Sequence, residues 1–241
     1  MDITSYHIDC NIHIKIAVLA DVHGKSTPQM MDSIRKGTPD LIIIAGDFFD
    51  GKKIESSDKE AEILKGKFFL KELSKISPVY FGLGNHEWKL QKADKSSISS
   101  VGITLLDDAY VLFQPGIYIG SLTSTSRYGK YAATSTKPNI RFLNQFEHIP
   151  GFKILICHHP EYYDKYLFHR KFDLILSGHA HGGQIRLGNQ GLYAPGQGIF
   201  PKYTSGIIDG RMIVSRGLSN TKKRIPRLFN QTELVFVNCG S

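Results

Sequence analysis

Five apolar runs in this sequence each end in side chains that could bind a metal ion. The runs KIAVLA, DLIIIAG, VYFGLG, KILIC and FDLILSG are followed directly by DVH, D, NHE, HH and HAH. The side chains concerned are Asp21, His23, Asp47, Asn85, His86, His158, His159, His179 and His181. Carboxylate, amide and imidazole groups are common protein ligands of transition-metal ions. Because such side chains follow each of the five apolar runs, the sequence predicts a shared metal site.

The apolar runs themselves are typical of buried β-strands. Continuous apolar segments rich in β-branched residues favour central strands that are covered on both faces. The runs IYIGSL, RMIVSRG and ELVFVN predict three further strands. Functional groups of open α/β sheets gather beyond the carboxyl ends of the strands, so residues far apart in the sequence can meet there.

Helices are predicted between the strands. The pair TP at residues 27–28 is typical of a helix start, and Gly37 is expected to stop that helix. Ser57 and Glu60 form a capping-box pattern, which opens a second helix that we expect to continue to about Ile76. A third helix, NIRFLNQF, follows KP at residues 137–138. The predicted buried face of the second helix consists of Ala61, Leu64, Phe68 and Ile76. Alternating strands and helices predict an α/β fold.

Composition bounds the class of protein. The 241 residues are 41% hydrophobic and 22% charged, which favours a single globular domain over residues 1–241. The three cysteines lack CxxC spacing, and neither a signal-peptide pattern nor an apolar run of about 18 residues occurs. We therefore expect a cytoplasmic protein. The net charge of +8 favours an anionic partner, which includes an acidic membrane surface. Nucleic acid is disfavoured because no aromatic-rich binding module is visible.

The candidate ligands outnumber what a single ion requires. Two Asp, one Asn and four His remain when His86 and His159 are set aside, whereas zinc usually takes three or four protein ligands. The mixture of imidazole, carboxylate and amide suits Mn²⁺, Fe or Zn²⁺ better than Mg²⁺ or Ca²⁺, which prefer oxygen alone. Two ions that share one carboxylate satisfy the count.

The motifs DVH, GD, GNHE, HH and GHAH, in this order, resemble the five signature blocks of the calcineurin-like metallophosphoesterases. The resemblance runs from about residue 15 to residue 185. The GHAHGGQ form of the last block, with later RGL and IPR segments, is similar to a bacterial branch of small phosphodiesterases that includes enzymes acting on UDP-diacylglucosamine. The resemblance implies an α/β/β/α sandwich, in which two mixed sheets are flanked by helices.

The resemblance also assigns roles to the motif residues. It gives one ion the ligands Asp21, His23 and His181. It gives the other ion Asn85, His158 and His179, and Asp47 bridges the two. His86 would be the catalytic residue that meets the leaving group. The implied cofactors are two divalent ions, with Mn²⁺ first and Fe, Zn²⁺ or Ni²⁺ as alternatives.

The implied reaction is in-line attack on phosphorus by a hydroxide held between the ions. Charge favours a phosphodiester or pyrophosphate substrate, because four positive charges less two carboxylates and one hydroxide leave about one. A dianionic monoester would need further cations, for which Arg127, Lys130 and residues 222–227 are candidates. We expect the substrate to be a phosphorylated small molecule or a lipid-linked compound.

Other functions are weighed beside this one. A phosphomonoesterase or nucleotide phosphatase would use the same ligands. A non-catalytic scaffold of the same fold would have lost ligands or His86, and this sequence keeps them all. Metallo-β-lactamase-type hydrolases also use paired histidines, but their HxHxDH run is absent, since HAH is followed here by GG.

Several residues keep two interpretations. His159 either orients a neighbour or contacts substrate, or it is structural. Glu87 either hydrogen-bonds a ligating imidazole or lies on the surface. Cys157 precedes two histidines, yet a cysteine inside a strand is expected to face the core. Residues 211–230 carry six Lys or Arg and no acidic residue, so they form either a solvated loop or a rim that binds phosphate or an anionic membrane. The loop 121–131 is a candidate pocket wall.

Overall fold

A computed structural model describes residues 1–125, 137–219 and 226–240 of the chain. Within these ranges the α-helices are α1 (Pro28–Gly37), α2 (Gly51–Ile54), α3 (Lys59–Ser74), α4 (Lys92–Ser99) and α5 (Ile140–Glu147). The strands of the first half are β1 (Asp2–Ile8), β2 (Ile14–Leu19), β3 (Leu41–Ala45), β4 (Val79–Gly82), β5 (Thr104–Leu106), β6 (Ala109–Gln114) and β7 (Ile117–Leu122). The remaining strands are β8 (Phe152–Cys157), β9 (Leu174–Ser177), β10 (Arg186–Leu187), β11 (Gln190–Gly191), β12 (Tyr193–Ala194), β13 (Gly198–Ile199), β14 (Gly206–Ile208), β15 (Met212–Val214) and β16 (Glu233–Cys239).

Most of the strands belong to two six-stranded sheets. The first has the order β1-β16-β2-β3-β4-β5, with β2 to β5 parallel and β16 antiparallel to β2. The second has the order β14-β15-β9-β8-β7-β6, with a parallel centre and antiparallel strands at both edges. Two short hairpins, β10–β11 and β12–β13, follow β9. Both large sheets are mixed, as predicted.

The apolar strand β3 shows how the layers stack. Successive side chains of a strand point to opposite faces of the sheet. Ile42 and Ile44 belong to a buried cluster with side chains of α1 and α3. Ile43 belongs to another cluster with Ile154 and Leu174 of the second sheet. Helix α5 and its neighbours cover the outer face of the second sheet. Helices therefore flank two packed sheets, which confirms the predicted α/β/β/α sandwich.

The helix starts follow the predicted pattern in part. Helix α1 begins at Pro28, and the Thr27 hydroxyl oxygen accepts a hydrogen bond from the backbone N–H of Met30. Helix α5 begins later than predicted, because the Asn139 side chain caps it in place of the KP pair. Within the described ranges, no helix has both the length and the apolar character needed to cross a lipid bilayer.

The predicted buried face of α3 is wrong. Leu64 and Phe68 are 70% and 71% exposed, whereas Leu70 is fully buried. Apolar residues occur on both sides of this helix, so periodicity alone did not identify the core face. The contact with Phe49 determines which face of α3 is buried, since a Cβ added to Gly66 would lie 2.3 Å from the Phe49 ring. The absence of a side chain at this position lets the helix approach that ring closely.

The layer between the two sheets should dominate the stability of the fold. We expect Leu174→Ala, in this layer, to lower the free energy of unfolding by about 2–5 kcal/mol, because it leaves a cavity in a packed core. The matched control Leu64→Ala, on the exposed side of α3, should change it by no more than about 0.5 kcal/mol. Urea unfolding followed by circular dichroism measures both. Equal losses for the two variants would contradict this description of the core.

Candidate metal centre

Five loops converge where the two sheets meet. The loops after β2, β3 and β4 in the first sheet carry four of the predicted ligands and His86, and the loops after β8 and β9 in the second carry the other three. Asp21, His23, Asp47, Asn85, His86, His158, His159, His179 and His181 are all buried, with at most 7% of each residue exposed. The structure therefore brings the seven predicted ligands, His86 and His159 into one buried region.

The backbone at this region is in a conformation that L residues rarely adopt. The φ angles of Asp21, His23, Asp47, His179 and His181 lie between 48° and 67°. Left-handed backbone at residues other than glycine costs of order 1–3 kcal/mol each and persists where the surroundings impose it. Here backbone hydrogen bonds impose it, since the N–H groups of Asp21 and His23 donate to the carbonyl groups of Gly46 and Asp47.

Two glycines allow these loops to approach one another. A Cβ added to Gly46, which has a φ of 88°, would lie 2.5 Å from Nδ1 of His158. A Cβ added to Gly84 would lie 2.3 Å from Oδ1 of Asp47. Contacts this short are sterically forbidden. The Asp47 carboxylate and the His158 imidazole therefore occupy space that a side chain at residue 84 or residue 46 would fill.

The first group of side chains that could hold an ion consists of Asp21, His23 and His181. Oδ1 of Asp21 lies 3.8 Å from Nε2 of His23 and 3.6 Å from Nε2 of His181. The backbone N–H of His179 donates to the Asp21 carboxylate, at 3.0 Å from Oδ2. This bond links the end of β2 in the first sheet to the end of β9 in the second.

The second group consists of Asp47, His158 and His179. Oδ2 of Asp47 lies 3.1 Å from Nε2 of His158 and 3.9 Å from Nε2 of His23, so this carboxylate stands between the two groups. The backbone N–H of His86 donates to the other carboxylate oxygen at 2.8 Å. Asn85 directly precedes His86 in the sequence. Its side-chain oxygen is buried and has no hydrogen-bond partner among the described residues.

The hydrogen bonds of the imidazoles leave lone pairs for an ion. Nδ1 of His158 lies 2.7 Å from the carbonyl oxygen of Ala45 and must donate to it, so Nε2 is the ring nitrogen that could bind an ion in place of a proton. Nδ1 of His86 accepts a hydrogen bond from the backbone N–H of Gly51, so it carries no proton. Nδ1 of His23 lies 3.1 Å from this acceptor and must therefore carry the proton of that contact. Nε2 of His23 is buried and has no hydrogen-bond partner in the described part of the chain, whereas the buried Nε2 of His158 faces the Asp47 carboxylate at 3.1 Å. Buried nitrogens with this geometry fit metal ligands.

The charges of the region call for a cation. Burial raises the pKa of Asp21 to about 7, and the neighbouring Asp47 adds to the effect against the opposing influence of His158. Burial alone would lower the pKa of His158, but the carboxylates of Asp47 and Asp21 outweigh it and raise the pKa to about 10. Without a bound cation, a proton on His158 therefore offsets the negative charge of the Asp21 and Asp47 carboxylates. A divalent ion bound at this place would do the same more completely.

Glu87 has a role that neither earlier interpretation anticipated. Its buried carboxylate accepts hydrogen bonds from the backbone N–H groups of Asp47, Phe49 and Gly84, at 2.8–3.0 Å. Burial and the charge of Asp47 raise the pKa of Glu87 to about 8, while the N–H donors act in the opposite direction. The side chain joins the loop after β3 to the loop after β4. The sequence signal was its place in GNHE, directly after the predicted ligand and acid.

The basic segment 211–230 is not a uniform rim. Arg211 donates to carbonyl groups in residues 167–172, Arg216 pairs with Glu233, and the guanidinium of Arg227 donates to the carbonyl groups of Arg216 and Ser219. These three cations hold loops together. The other three, Lys222, Lys223 and Arg224, lie outside the described residues, as do Arg127, Lys130 and most of the loop 121–131.

Cys157 lies inside β8 and faces the core. The side chain is almost completely buried, and burial raises the pKa of its thiol. A nucleophilic cysteine needs the opposite shift. The expectation that Cys157 is a packing residue therefore agrees with its environment.

Comparison with known proteins identifies the family. The family model described as calcineurin-like phosphoesterase matches residues 14–183. YpbG of Bacillus subtilis (strain 168), an uncharacterised protein, is 27% identical over 231 residues, which cover 94% of this chain and 82% of YpbG. The UDP-2,3-diacylglucosamine pyrophosphatase LpxG of Chlamydia muridarum (strain MoPn / Nigg) is 23% identical over 223 residues, which cover 72% of this chain and 65% of LpxG.

A solved structure shows the same fold. A dimetal phosphatase from Danio rerio aligns with a TM-score of 0.51 at 12% identity, over 85% of this chain and 87% of that protein. The family match begins with the first residue of β2 and ends just after the HAH motif, so it contains all five converging loops. The chain therefore belongs to the calcineurin-like phosphoesterase family and is a metal-dependent phosphoester hydrolase.

Proposed function

We propose that the chain hydrolyses a phosphodiester or pyrophosphate bond with two divalent ions. The observation that carries this proposal is the Asp47 carboxylate, which stands between two buried groups of ion-binding side chains. The proposed ligands of one ion are Asp21, His23, His181 and Asp47. The proposed ligands of the other are Asn85, His158, His179 and Asp47. Mn²⁺ suits this donor set first, with Fe, Zn²⁺ or Ni²⁺ as alternatives.

When bound, two such ions would supply the attacking hydroxide at neutral pH and would neutralise charge that develops on the phosphoryl oxygens. The chain itself fixes the ligands in place. Asp21 and Asp47 provide the negative charge that retains cations, and His23 and His158 present their Nε2 lone pairs. Backbone N–H groups of His86 and His179 hold the two carboxylates in orientation.

His86 is the proposed proton donor to the leaving oxygen. Its Nδ1 accepts the backbone N–H of Gly51, so the ring proton is on Nε2. That nitrogen lies 3.7 Å from Oδ2 of Asp47, beside the proposed bridging position. Donation to the leaving oxygen requires the imidazolium form of His86. Burial lowers the pKa of His86 against the influence of the Asp47 charge, which makes that form a stronger acid. General-acid assistance of this kind contributes about 10²–10⁴-fold to rate.

The proposed substrate is a phosphoester with one negative charge at the scissile phosphate. Two divalent ions, two carboxylates and one hydroxide leave about one positive charge, which a diester monoanion matches. The guanidinium of Arg227 lies 3.5 Å from Nδ1 of His181 and adds positive charge beside Asp21, but its hydrogen bonds go to the carbonyl groups of Arg216 and Ser219. Similarity to LpxG supports a lipid-linked substrate. Phe229, which is 85% exposed, and the half-exposed Leu228 could contact its apolar part or a membrane surface.

The proposal predicts metal-dependent hydrolysis that fails without the shared carboxylate. We expect the Mn²⁺-loaded chain to cleave bis-p-nitrophenyl phosphate, and we expect Asp47→Ala to lose activity by more than about a hundredfold, since even outer groups around a metal contribute 10–100-fold. The control Asp164→Ala, at an exposed carboxylate, should retain activity. Metal content and initial rates provide the readout. A metal-loaded wild type without any phosphoesterase activity would favour the non-catalytic scaffold.

The charge argument predicts a preference for diesters. We expect kcat/KM for bis-p-nitrophenyl phosphate to exceed that for p-nitrophenyl phosphate by at least about tenfold in Mn²⁺, because the charge of about +1 left by two ions, two carboxylates and one hydroxide matches a diester monoanion better than a monoester dianion. Steady-state kinetics with both substrates in one metal buffer measures the ratio. A strong preference for the monoester would favour the phosphomonoesterase alternative.

The role of His86 predicts an effect that depends on the leaving group. We expect His86→Ala to slow hydrolysis of an alkyl phosphodiester by about 10²–10⁴-fold, because a poor leaving group needs a proton. The same variant should slow p-nitrophenyl esters far less, since p-nitrophenolate departs without one. The exposed His169→Ala variant serves as the control for histidine removal. An equal loss with good and poor leaving groups would show that His86 acts in another way.

A further inference from the structure

His159 lies beside the proposed centre, yet its ring faces other partners. Nε2 of the buried His159 lies 2.6 Å from the Ser124 hydroxyl, and Nδ1 lies 3.0 Å from Oε1 of Glu161. A carboxylate only accepts, so Nδ1 donates to Glu161 and Nε2 accepts from the Ser124 hydroxyl. Ser124, His159 and Glu161 thus form a hydrogen-bonded chain of fixed direction, which we call the 124–159–161 chain.

The carboxylate end of this chain faces a proposed metal ligand. Oε1 of Glu161 lies 3.9 Å from Nε2 of His179, and the His159 and His179 rings are 4.2 Å apart between centroids. Oε2 of Glu161 is buried and has no hydrogen-bond partner among the described residues. A Cβ added to Gly196 would lie 2.3 Å from Oε1, so the loop after β12 closes over the carboxylate. Glu161 is held against His179 with accepting capacity to spare.

The Ser124 end of the 124–159–161 chain contacts the loop after β4, which carries Asn85, another proposed ligand of the same ion. The backbone N–H of Ser124 donates to the carbonyl oxygen of Leu83, two residues before Asn85. Asn85 and His179 are both proposed ligands of the second ion. The 124–159–161 chain therefore borders the loops that carry Asn85 and His179, whereas Asp21, His23 and His181 form the first group.

We propose that Glu161, oriented by His159 and Ser124, is a positioning residue for His179. A metal-bound histidine generally donates its other ring N–H to a carboxylate or carbonyl group, which fixes the tautomer and the ring orientation. His158 has such a partner in the Ala45 carbonyl group, at 2.7 Å. Glu161 would fill the same role for His179: its carboxylate, 3.9 Å from Nε2 in this structure, would accept the Nε2–H and leave Nδ1 for the second ion. The inference rests on the proposed two-metal function.

Calorimetric titration of the metal-free chain with Mn²⁺ tests this role directly. Asn85→Ala and His181→Ala first identify which of two binding steps belongs to which group. We expect Glu161→Gln to weaken the Asn85-dependent step by about 10–100-fold and to leave the His181-dependent step unchanged. Glu161→Ala should weaken that step further, because the amide oxygen of Gln can still accept a hydrogen bond.

Two controls separate positioning from general stabilisation. Glu147→Gln removes a carboxylate of similar burial that pairs with Arg170 at 2.6 Å, away from the centre, and should change neither step. Ser124→Ala should weaken the Asn85-dependent step less than Glu161→Gln does, because His159 still holds Glu161. Thermal melting of the metal-free variants reports any loss of stability separately.

Four results would overturn the inference. Unchanged binding in Glu161→Gln, or equal weakening of both steps, would mean that Glu161 does not position His179. A third equivalent of Mn²⁺ that disappears with Glu161→Gln would mean that Glu161, His159 and His179 bind an ion themselves. A wild type that binds no Mn²⁺ at all would overturn the two-metal function as well, and this result is distinct from the other three.

Discussion

Two like charges buried side by side impose the main constraint on this structure. The carboxylates of Asp21 and Asp47 both lie within 4 Å of Nε2 of His23 and Nε2 of His158, where water is excluded. Such a pair is stable only if positive charge and hydrogen-bond donors surround it. Backbone N–H groups from the partner loops supply the donors. The proposed ions would supply the charge, so one electrostatic requirement links the loops, the histidines and the activity.

The loops are rigid because several independent interactions fix the same geometry. Left-handed backbone at five of the buried residues is costly,, and it persists because cross-loop hydrogen bonds and the Glu87 carboxylate leave no alternative. Glycine at positions 46 and 84 removes the atoms that would otherwise occupy the space of the ligands. A site built this way keeps its donors in place before the substrate arrives, which is the condition for electrostatic catalysis.

The strands and the motif residues could be predicted from the sequence because each motif follows an apolar run whose composition indicates a buried strand. Prediction failed where tertiary contacts determine which residues are buried or adjacent. The core face of α3 depends on Phe49 fitting against Gly66, and apolar residues on both faces, such as Leu64 and Ile63, hid that contact. Glu161 carried no signal because it lies in no motif, and Ser124 was noted only as part of the loop 121–131. Only the fold brings the end of β7 beside the loop after β8.

The two proposed ion sites draw on strands far apart in synthesis. A nascent chain that has emerged through residue 85 already contains Asp21, Asp47 and Asn85, but it contains none of the histidines contributed by the second sheet. The second proposed ligand set is complete only with His179, and the first only with His181, so both require the loop after β9. On the two-ion proposal, metal capture would therefore be a late event in folding. The ions would be selected by a largely synthesised chain, and not by a short early segment that any abundant cation could bind.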